Sequence, residues 1–387
     1  MDARNRQRWD ALDVLRGLTI LLMLTNLTPG SWETNFGFLV HATWDGWTLI
    51  DMVAPAFLFV IGCAMPLSFE RRSASGDARG TLLRHIITRG LMLVAIGFFL
   101  NLYPRFDFDT VRIPGVLQRI GLCYLLAGVF ALLTARRDGS GVLRLRPPPV
   151  LAAALVILVS YWVLLYFVPV PGFGAPRFDP LGNWVSVIDR ALIGTQHFFP
   201  YWPVDGAVVF DPEGLLSTWP ACVNVLAGVL VGIAQARGAL HSPTLAALAA
   251  GALLMALAYA WAPWCPIIKN IWTSSFALFS VGFAVLALAV LMPVAQLAGL
   301  RQVLWPARVF GENPLLAYIL VFLMAPLIDA NFFGTAEQPL SIRSGGHAWL
   351  AGFLDARVAS LTFALACMAV LFVILILCRR RRWILKL

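Results

Sequence analysis

Long, continuous apolar runs separated by short polar segments dominate the chain. Ten of these runs approach the roughly 20 residues that an α-helix needs to cross a bilayer. They lie at 14–29, 47–68, 86–103, 115–134, 149–169, 217–236, 244–262, 273–292, 309–328 and 358–378. Because apolar and polar residues do not alternate within a run, the pattern predicts helices and not a β-barrel. We therefore predict an all-α, polytopic integral membrane bundle of about ten transmembrane helices.

The basic residues predict the orientation of this bundle. An even number of spans places both termini on one side of the membrane. The N-terminal segment carries Arg4, Arg6, Arg8 and Arg16, and the C-terminal segment carries four consecutive arginines at 379–382. Because Lys and Arg concentrate in cytoplasmic loops, we predict that both termini are cytoplasmic.

Composition supports a lipid environment. Of the 387 residues, 60% are hydrophobic and only 13% are charged. We therefore predict that the lipid bilayer is a partner and covers the apolar surface of the protein. The cytoplasmic loops account for the net charge of +9, and we predict no nucleic-acid partner. The six cysteines stand singly, without metal-ligand spacing, so no metal is predicted. No internal repeat is visible, which predicts one integral domain over 1–387.

The first polar loop and the start of the second span bring together Asn26, His41, Asp45 and Asp51. A histidine exchanges protons near neutral pH, so His41 is a candidate general base, although a loop histidine can also be a bystander. Asp51 falls inside an apolar run, where a carboxylate is costly unless it is paired. It indicates either a polar site or a structural partner for an arginine.

Two arginines lie where an anion would be expected. Arg119, next to Gln118 in the fourth span, needs a carboxylate or a bound anion because its guanidinium stays protonated. A phosphate-bearing ligand is one possibility, and an ion pair with Asp51 or Asp13 is the other. Arg16, at the cytoplasmic start of the first helix, could face a phosphate-rich cofactor or anchor the helix to anionic lipid.

Further polar residues stand at the predicted outer ends of spans. Asp211 and Glu213 precede a helix start, which favours helix capping but also fits recognition of a sugar or an amine. Lys269 and Trp272 occur in the segment K-N-I-W-T-S-S-F, where interfacial anchoring is the alternative to a binding role.

Taken together, ordered blocks along most of the chain resemble the heparan-alpha-glucosaminide N-acetyltransferase family of transmembrane enzymes. The blocks are L-D-V-L-R-G, H-A-T-W-D-G-W-T-L-I-D, R-I-P-G-V-L-Q-R, F-D-P-E-G-L-L-S-T and K-N-I-W-T-S-S-F. The resemblance implies transfer of an acetyl group from cytosolic acetyl-CoA, as co-substrate, to the amine of a terminal glucosamine across the membrane. The family's active-site histidine falls on His41 and its neighbouring asparagine on Asn26.

On this interpretation His41 removes the acceptor's proton and Asn26 stabilises the developing oxyanion, with an acetyl-histidine intermediate as the other route. The predicted donor site comprises Arg16, Arg89, Arg119 and Gln118. The predicted amino-sugar site comprises Asp45, Asp51, Asp211, Glu213, Lys269 and Trp272.

The chain departs from the lysosomal members of this family, which carry an additional luminal domain and a preceding span, and we expect a smaller acceptor sugar. We expect a multi-pass protein of the bacterial inner membrane and leave a homodimer open. The alternative functions are a transporter of an anionic solute and an O-acyltransferase of a cell-envelope glycan.

Overall fold

A computed structural model describes residues 3–238, 245–297, 299–334 and 339–385, and helices dominate it. In chain order the helices are α1 Ala3–Leu27, α2 Val53–Ala74, α3 Arg79–Leu102, α4 Val116–Thr134, α5 Pro147–Phe167, α6 Trp184–Ile193, α7 Leu215–Ala236, α8 Leu245–Trp261, α9 Ser274–Val294, α10 Leu300–Val303, α11 Trp305–Glu312, α12 Pro314–Asp329, α13 Ile342–Ala351 and α14 Ala356–Arg380. Short 3₁₀ helices occur at Gly37–Leu39, Leu49–Met52 and Thr195–His197. Two antiparallel hairpins complete the secondary structure, β1 Arg136–Arg137 with β2 Leu143–Arg144, and β3 Asn331–Gly334 with β4 Pro339–Ser341.

Within the described residues, seven helices are long and apolar enough to cross a bilayer, which confirms a helical membrane protein. They are α2 (extended at its start to Leu49), α3, α4, α5, α7, α9 and α14. Helices α1 and α8 cover two further predicted spans without being among the seven. Because α8 has 17 residues, it reaches only about 25 Å, less than the ~30 Å hydrocarbon core. The count of ten and the side of the termini stay predictions.

The predicted span at 309–328 is broken. Helix α11 ends at Glu312, and α12 starts at Pro314 after a bend of 86°. Proline has no backbone N–H to donate and disfavours a helical residue before it, which explains the break at Asn313. Counted as one span, the bent pair would be the eighth.

The described chain forms two compact units. The first comprises Met1–Ala42, Thr48–Ala54 and Val290–Leu387, and the second comprises Thr43–Trp47 and Pro55–Ala289. That the whole chain acts as one acyltransferase domain stays a prediction.

Glycines allow close helix packing inside the first unit. A Cβ added at Gly17 of α1 would lie 1.6 Å from the carbonyl oxygen of Ala307 in α11, and one at Gly311 would lie 2.2 Å from that of Asp13. Small residues at such crossings let backbones approach where lipid supplies no hydrophobic drive for association. Helices α1 and α11 are therefore fixed against each other, and α1 carries Arg16 and Asn26.

Most buried polar side chains of the second unit lie toward one end of its helices. The C-terminal ends of α3, α5 and α8 and the N-terminal ends of α4, α7 and α9 are joined there by loops. The long connection at 170–216 contains the amphipathic helix α6, which Asn183 caps by accepting a hydrogen bond from the backbone N–H of Ser186. This end of the unit holds most of the predicted amino-sugar residues.

Candidate active site

His41 and Asp51 form a hydrogen-bonded pair in the first unit. The Nδ1 atom of His41 lies 2.6 Å from Oδ1 of Asp51, and the Asp51 side chain is fully buried, whereas that of His41 is 24% exposed. The loop after the 3₁₀ helix at Gly37–Leu39 presents His41, and the 3₁₀ helix at Leu49–Met52 turns Asp51 back toward it. The sequence predicted Asp51 as a substrate ligand or an arginine partner, and the structure places it against the histidine.

Three further hydrogen bonds to Asp51 indicate which ring nitrogen of His41 is the donor. Its Oδ2 accepts hydrogen bonds from the backbone N–H groups of Ala42 (3.1 Å) and Thr48 (2.9 Å), and the Thr48 hydroxyl lies 3.1 Å away. A carboxylate surrounded by donors is an acceptor, so the Nδ1 of His41 donates and Nε2 carries the lone pair. This tautomer, held by a buried carboxylate, is the one that a general base requires.

Asn26 and Arg16 lie on α1 in the same unit. Asn26 is partly buried, one residue before α1 ends at Leu27. Arg16 donates from Nε to the carbonyl of Gly311 (2.5 Å) and from Nη2 to Asp13 (2.6 Å). The Arg16 guanidinium therefore caps a backbone carbonyl in the last turn of α11, next to the helix break. Its role toward the donor stays a prediction.

A buried charge cluster, comprising Arg112, Asp211, Glu213, Lys269 and Arg119, lies at the polar end of the second unit. Arg112 binds Asp211 through two hydrogen bonds of 2.8 and 2.7 Å and also donates to Glu213. Asp211 in addition accepts the backbone N–H groups of Phe199 and Glu213, both at 2.8 Å. The Asp211 carboxylate thus fixes the loop ahead of α7, a more elaborate role than the helix capping considered from the sequence.

Glu213 remains ionised although it is buried. Burial alone would raise its pKa, but the charges of Arg112, Lys269 and Arg119 outweigh burial and lower the pKa to about 2. The Nζ atom of Lys269 lies 3.9 Å from Oε1 of Glu213 and 5.3 Å from the ring centre of Trp202. Glu213 and Lys269 therefore offer a fixed anion and a fixed cation next to an aromatic ring.

Arg119 extends the cluster toward Trp272. Its Nη2 donates to the carbonyl of Gly214 (3.3 Å) and to the Ser217 hydroxyl, and its guanidinium stacks 4.8 Å above the Trp272 ring. Among the described residues, Nε and Nη1 of Arg119 are buried without a hydrogen-bond partner. Trp272 is fully buried in the left-handed backbone region with φ of 49°, a strained conformation of the kind found at functional sites.

The other predicted donor ligands occupy different surroundings. Gln118 is buried and donates to the carbonyl of Ile113 (3.2 Å), at the same end of the unit as Arg119. Arg89 lies ten residues into α3, about 15 Å from its start, and not at the opening of the helix as its run predicted. Its guanidinium lies 4.9 Å from the Tyr124 ring centre, and within the described part of the chain its buried Nε has no partner.

Sequence reasoning missed Arg112 and Asp189. Arg112 directly precedes I-P-G in the block R-I-P-G-V-L-Q-R, and the two acidic residues of the block F-D-P-E-G-L-L-S-T were the available signal for a basic partner. Asp189 of α6 accepts the backbone N–H groups of Leu215 (3.1 Å) and Leu216 (3.3 Å) at the start of α7. Burial raises the pKa of Asp189 to about 6. Nothing in the apolar pattern indicated that α6 would fold over α7.

The chain is similar in sequence to known proteins. The family model for heparan-alpha-glucosaminide N-acetyltransferase, catalytic, matches residues 8–208. Heparan-alpha-glucosaminide N-acetyltransferase of Homo sapiens is 29% identical over 358 residues, covering 81% of this chain and 52% of the relative. The Mus musculus protein of the same name is 30% identical over 361 residues, with 81% and 53% covered. The chain thus spans about half the length of the curated relatives it matches.

Proposed function

The chain belongs to the heparan-alpha-glucosaminide N-acetyltransferase family, and on that premise we propose that it transfers the acetyl group of acetyl-CoA to the amine of a glucosamine-type sugar. The observation that carries this proposal is the His41–Asp51 pair, in which a buried carboxylate fixes the tautomer of a partly exposed histidine. The acceptor reacts as the neutral amine, whose nitrogen must lose a proton as the amide forms, so transfer needs such a base.

In the proposed step, Nε2 of His41 takes a proton from the acceptor's nitrogen as that nitrogen attacks the thioester carbonyl. The carbonyl oxygen becomes an oxyanion, toward which the side-chain N–H of Asn26 would donate. The carbon–sulfur bond then breaks, and the leaving thiolate takes the proton from His41. Asp51 stabilises the transient imidazolium and keeps its own charge throughout.

We assign the buried charge cluster of the second unit to the sugar. Glu213 offers an ionised oxygen and Lys269 an ammonium, a combination that can accept from and donate to sugar hydroxyls. Asp211 is already held by Arg112 and two backbone N–H groups, so we give it a positioning role. The Trp272 ring stacks against the Arg119 guanidinium and stabilises it through a cation–π contact.

For the donor, we propose that the CoA phosphates contact Arg89 and that the charged end of CoA arrives from the cytoplasm. A contact of Arg16 with the donor stays a prediction. The supporting feature is the buried Nε of Arg89, which has no hydrogen-bond partner among the residues that the structure describes. Arg119 and Gln118 lie in the first turn of α4 among the sugar-site residues, so the acyl-bearing arm, and not the nucleotide, is the part of the donor they would contact. The bacterial inner membrane as the location stays a prediction.

The proposed function is tested with purified protein in lipid nanodiscs, acetyl-labelled acetyl-CoA and a panel of hexosamines. We expect label on the amine of a glucosamine-type sugar and loss of transfer in His41→Ala. His347→Ala is the matched control, because His347 lies in the same unit with its Nε2 3.3 Å from the Thr34 hydroxyl and 3.2 Å from the Ala356 carbonyl oxygen. Uptake of an anionic solute without acylation would instead identify a transporter, and label on a hydroxyl would identify an O-acyltransferase.

The donor assignment needs its own test, since an arginine gripping a phosphate contributes geometry as well as charge. We expect Arg89→Lys and Arg16→Lys to weaken the apparent affinity for acetyl-CoA. Arg137→Lys, in the exposed strand β1, should bind as the parent does. Equal affinities in all three variants would remove both arginines from the donor site.

A further inference from the structure

A cavity of about 330 Å³ opens in the second unit beside the segment 43–47. Its walls include Asp45, Trp47, Tyr259, Ala262, Pro266 and Ile267. This space is large enough to hold a small polar group.

Hydrogen bonds fix the backbone segment 43–47 beside the cavity. The N–H of Gly46 donates to the carbonyl of Ile267 (2.9 Å), so the segment 43–47 pairs with the loop after α8. Gly46 has a φ of +92°, a conformation that favours glycine. The Asn270 side chain donates to the carbonyl of Thr43 (3.3 Å) and fixes the other end of the segment. Asp45 and Trp47 are therefore presented to the cavity by an anchored turn.

The chemistry of the walls favours a cation. Asp45 is exposed, and no cationic side chain of the described residues lies within 4 Å of its carboxylate. The Trp47 indole N–H donates to the Tyr259 hydroxyl (2.8 Å), which locks the two aromatic side chains together. A carboxylate beside aromatic rings attracts an ammonium through charge and through the ring quadrupole.

The cavity also borders a belt of aromatic residues. Trp162, near the C-terminal end of α5, lies 5.5 Å from Trp261 of α8, and its indole N–H donates to the carbonyl of Trp264 (3.1 Å). Tyr259 and Trp264 are each 53% exposed, and the apolar Leu253 of α8 is 59% exposed. Trp and Tyr concentrate at the depth of lipid headgroups, which favours a position of the cavity at that depth.

We propose that this cavity binds the primary ammonium of a membrane lipid headgroup, as in an ethanolamine phospholipid. The ammonium donates to the Asp45 carboxylate and to the Tyr259 oxygen, while the Trp47 ring packs against it. A quaternary ammonium cannot donate these hydrogen bonds, so the cavity discriminates between the two common zwitterionic headgroups. This site requires no acetyl transfer and is independent of the function proposed above.

The test uses the full chain in detergent, titrated with short-chain phosphatidylethanolamine or phosphatidylcholine and followed by native mass spectrometry. We expect the ethanolamine lipid to bind on the order of tenfold more tightly, and Asp45→Asn and Tyr259→Phe to remove that preference. Asp109→Asn, an exposed carboxylate in the α3–α4 loop, is the control that should keep it.

Equal binding of the two lipids, or an unchanged preference in Asp45→Asn, would overturn the proposal. A third arm adds free glucosamine. If soluble glucosamine occupies the Asp45 site as tightly as the ethanolamine lipid does, the ligand is an amino sugar and the lipid assignment is wrong.

Discussion

The Nδ1 atom of His41 lies 2.6 Å from Oδ1 of Asp51, and the Asp51 carboxylate is fully buried while the histidine stays partly exposed. Two backbone N–H groups, from Ala42 and Thr48, hold the other carboxylate oxygen. The carboxylate therefore orients the ring from within the protein, and the opposite nitrogen is the one with proton-accepting character.

Asp51→Asn should reduce turnover by about 10²-fold or more, because the amide can no longer stabilise the imidazolium and can donate to Nδ1, reversing the tautomer. The KM for the sugar should change much less than kcat, since the shape of the side chain is conserved. The measurement is steady-state acetyl transfer, with Asp355→Asn, the cap of α14 in the same unit, as the control. An unchanged kcat would mean that Asp51 only folds the loop.

We expect that removing the Arg112 guanidinium strongly lowers the stability of the folded protein. Burial opposes its charge, but Asp211 and Glu213 outweigh burial and raise the pKa of the guanidinium. Arg112→Leu leaves both carboxylates without this partner and should destabilise the protein by about 3–5 kcal/mol. Thermal unfolding followed by tryptophan fluorescence measures this, with the exposed Arg105→Leu as the control.

A second variant separates charge from packing at Arg112. Adding Asp211→Asn to Arg112→Leu removes one of the stranded charges and should recover part of the lost stability. If the double variant is less stable than the single one by the full cost of Asp211→Asn alone, the two side chains do not act as a pair.

The apolar pattern predicted most helices because burial in lipid demands long, continuous apolar runs. It missed the bend of 86° between α11 and α12, where Pro314 was the available signal. It also missed α6, whose amphipathic face is defined by packing on α7 and not by lipid.

In the candidate site, too, the sequence predicted part of the arrangement and missed the rest. His41, Glu213 and Lys269 could be singled out because ionisable residues beside membrane spans need a reason to be there. Which side chains pair could not be predicted, since Arg112 and Asp211 lie 99 residues apart in the chain, with α4, α5 and α6 between them. The His41–Asp51 pair depends on a turn formed by a short 3₁₀ helix, which carries no periodic signature.

The raised pKa of Asp189 predicts that the stability of the folded protein depends on pH. Burial raises its pKa from 3.8 to about 6, so the folded state holds this proton more tightly than the unfolded state does. The protonated carboxyl favours folding at low pH, and this contribution is lost as the pH rises from about 3.8 to about 6. A difference of about two pKa units corresponds to roughly 3 kcal/mol at most.

The measurement compares unfolding midpoints of the parent and of Asp189→Asn between pH 4 and pH 7. The amide keeps an acceptor for the backbone N–H groups of Leu215 and Leu216, so the variant should gain stability relative to the parent as the pH rises. Asp205→Asn, in an exposed turn of the same connection, should show no such trend. Parallel pH profiles for parent and Asp189→Asn would contradict the assignment.

The last prediction concerns the orientation of the bundle, which the distribution of arginines favours but which the fold leaves open. Single cysteines at Glu33 and Ser75 stand on either side of α2, and both native side chains lie outside the buried core. If α2 crosses the bilayer once, a membrane-impermeant maleimide must label the two positions from opposite sides.

The background lacks the six native cysteines, of which Cys378 alone is not buried. We expect the position at 33 to label from outside intact cells and the position at 75 only in inverted vesicles, because the arginine-rich loops face the cytoplasm. A third cysteine at Ser140, in the exposed β1–β2 turn after α3 and α4, should label together with position 75. Labelling of positions 33 and 75 from the same side would show that α2 does not span the membrane, and the reversed pattern would place His41 on the cytoplasmic face.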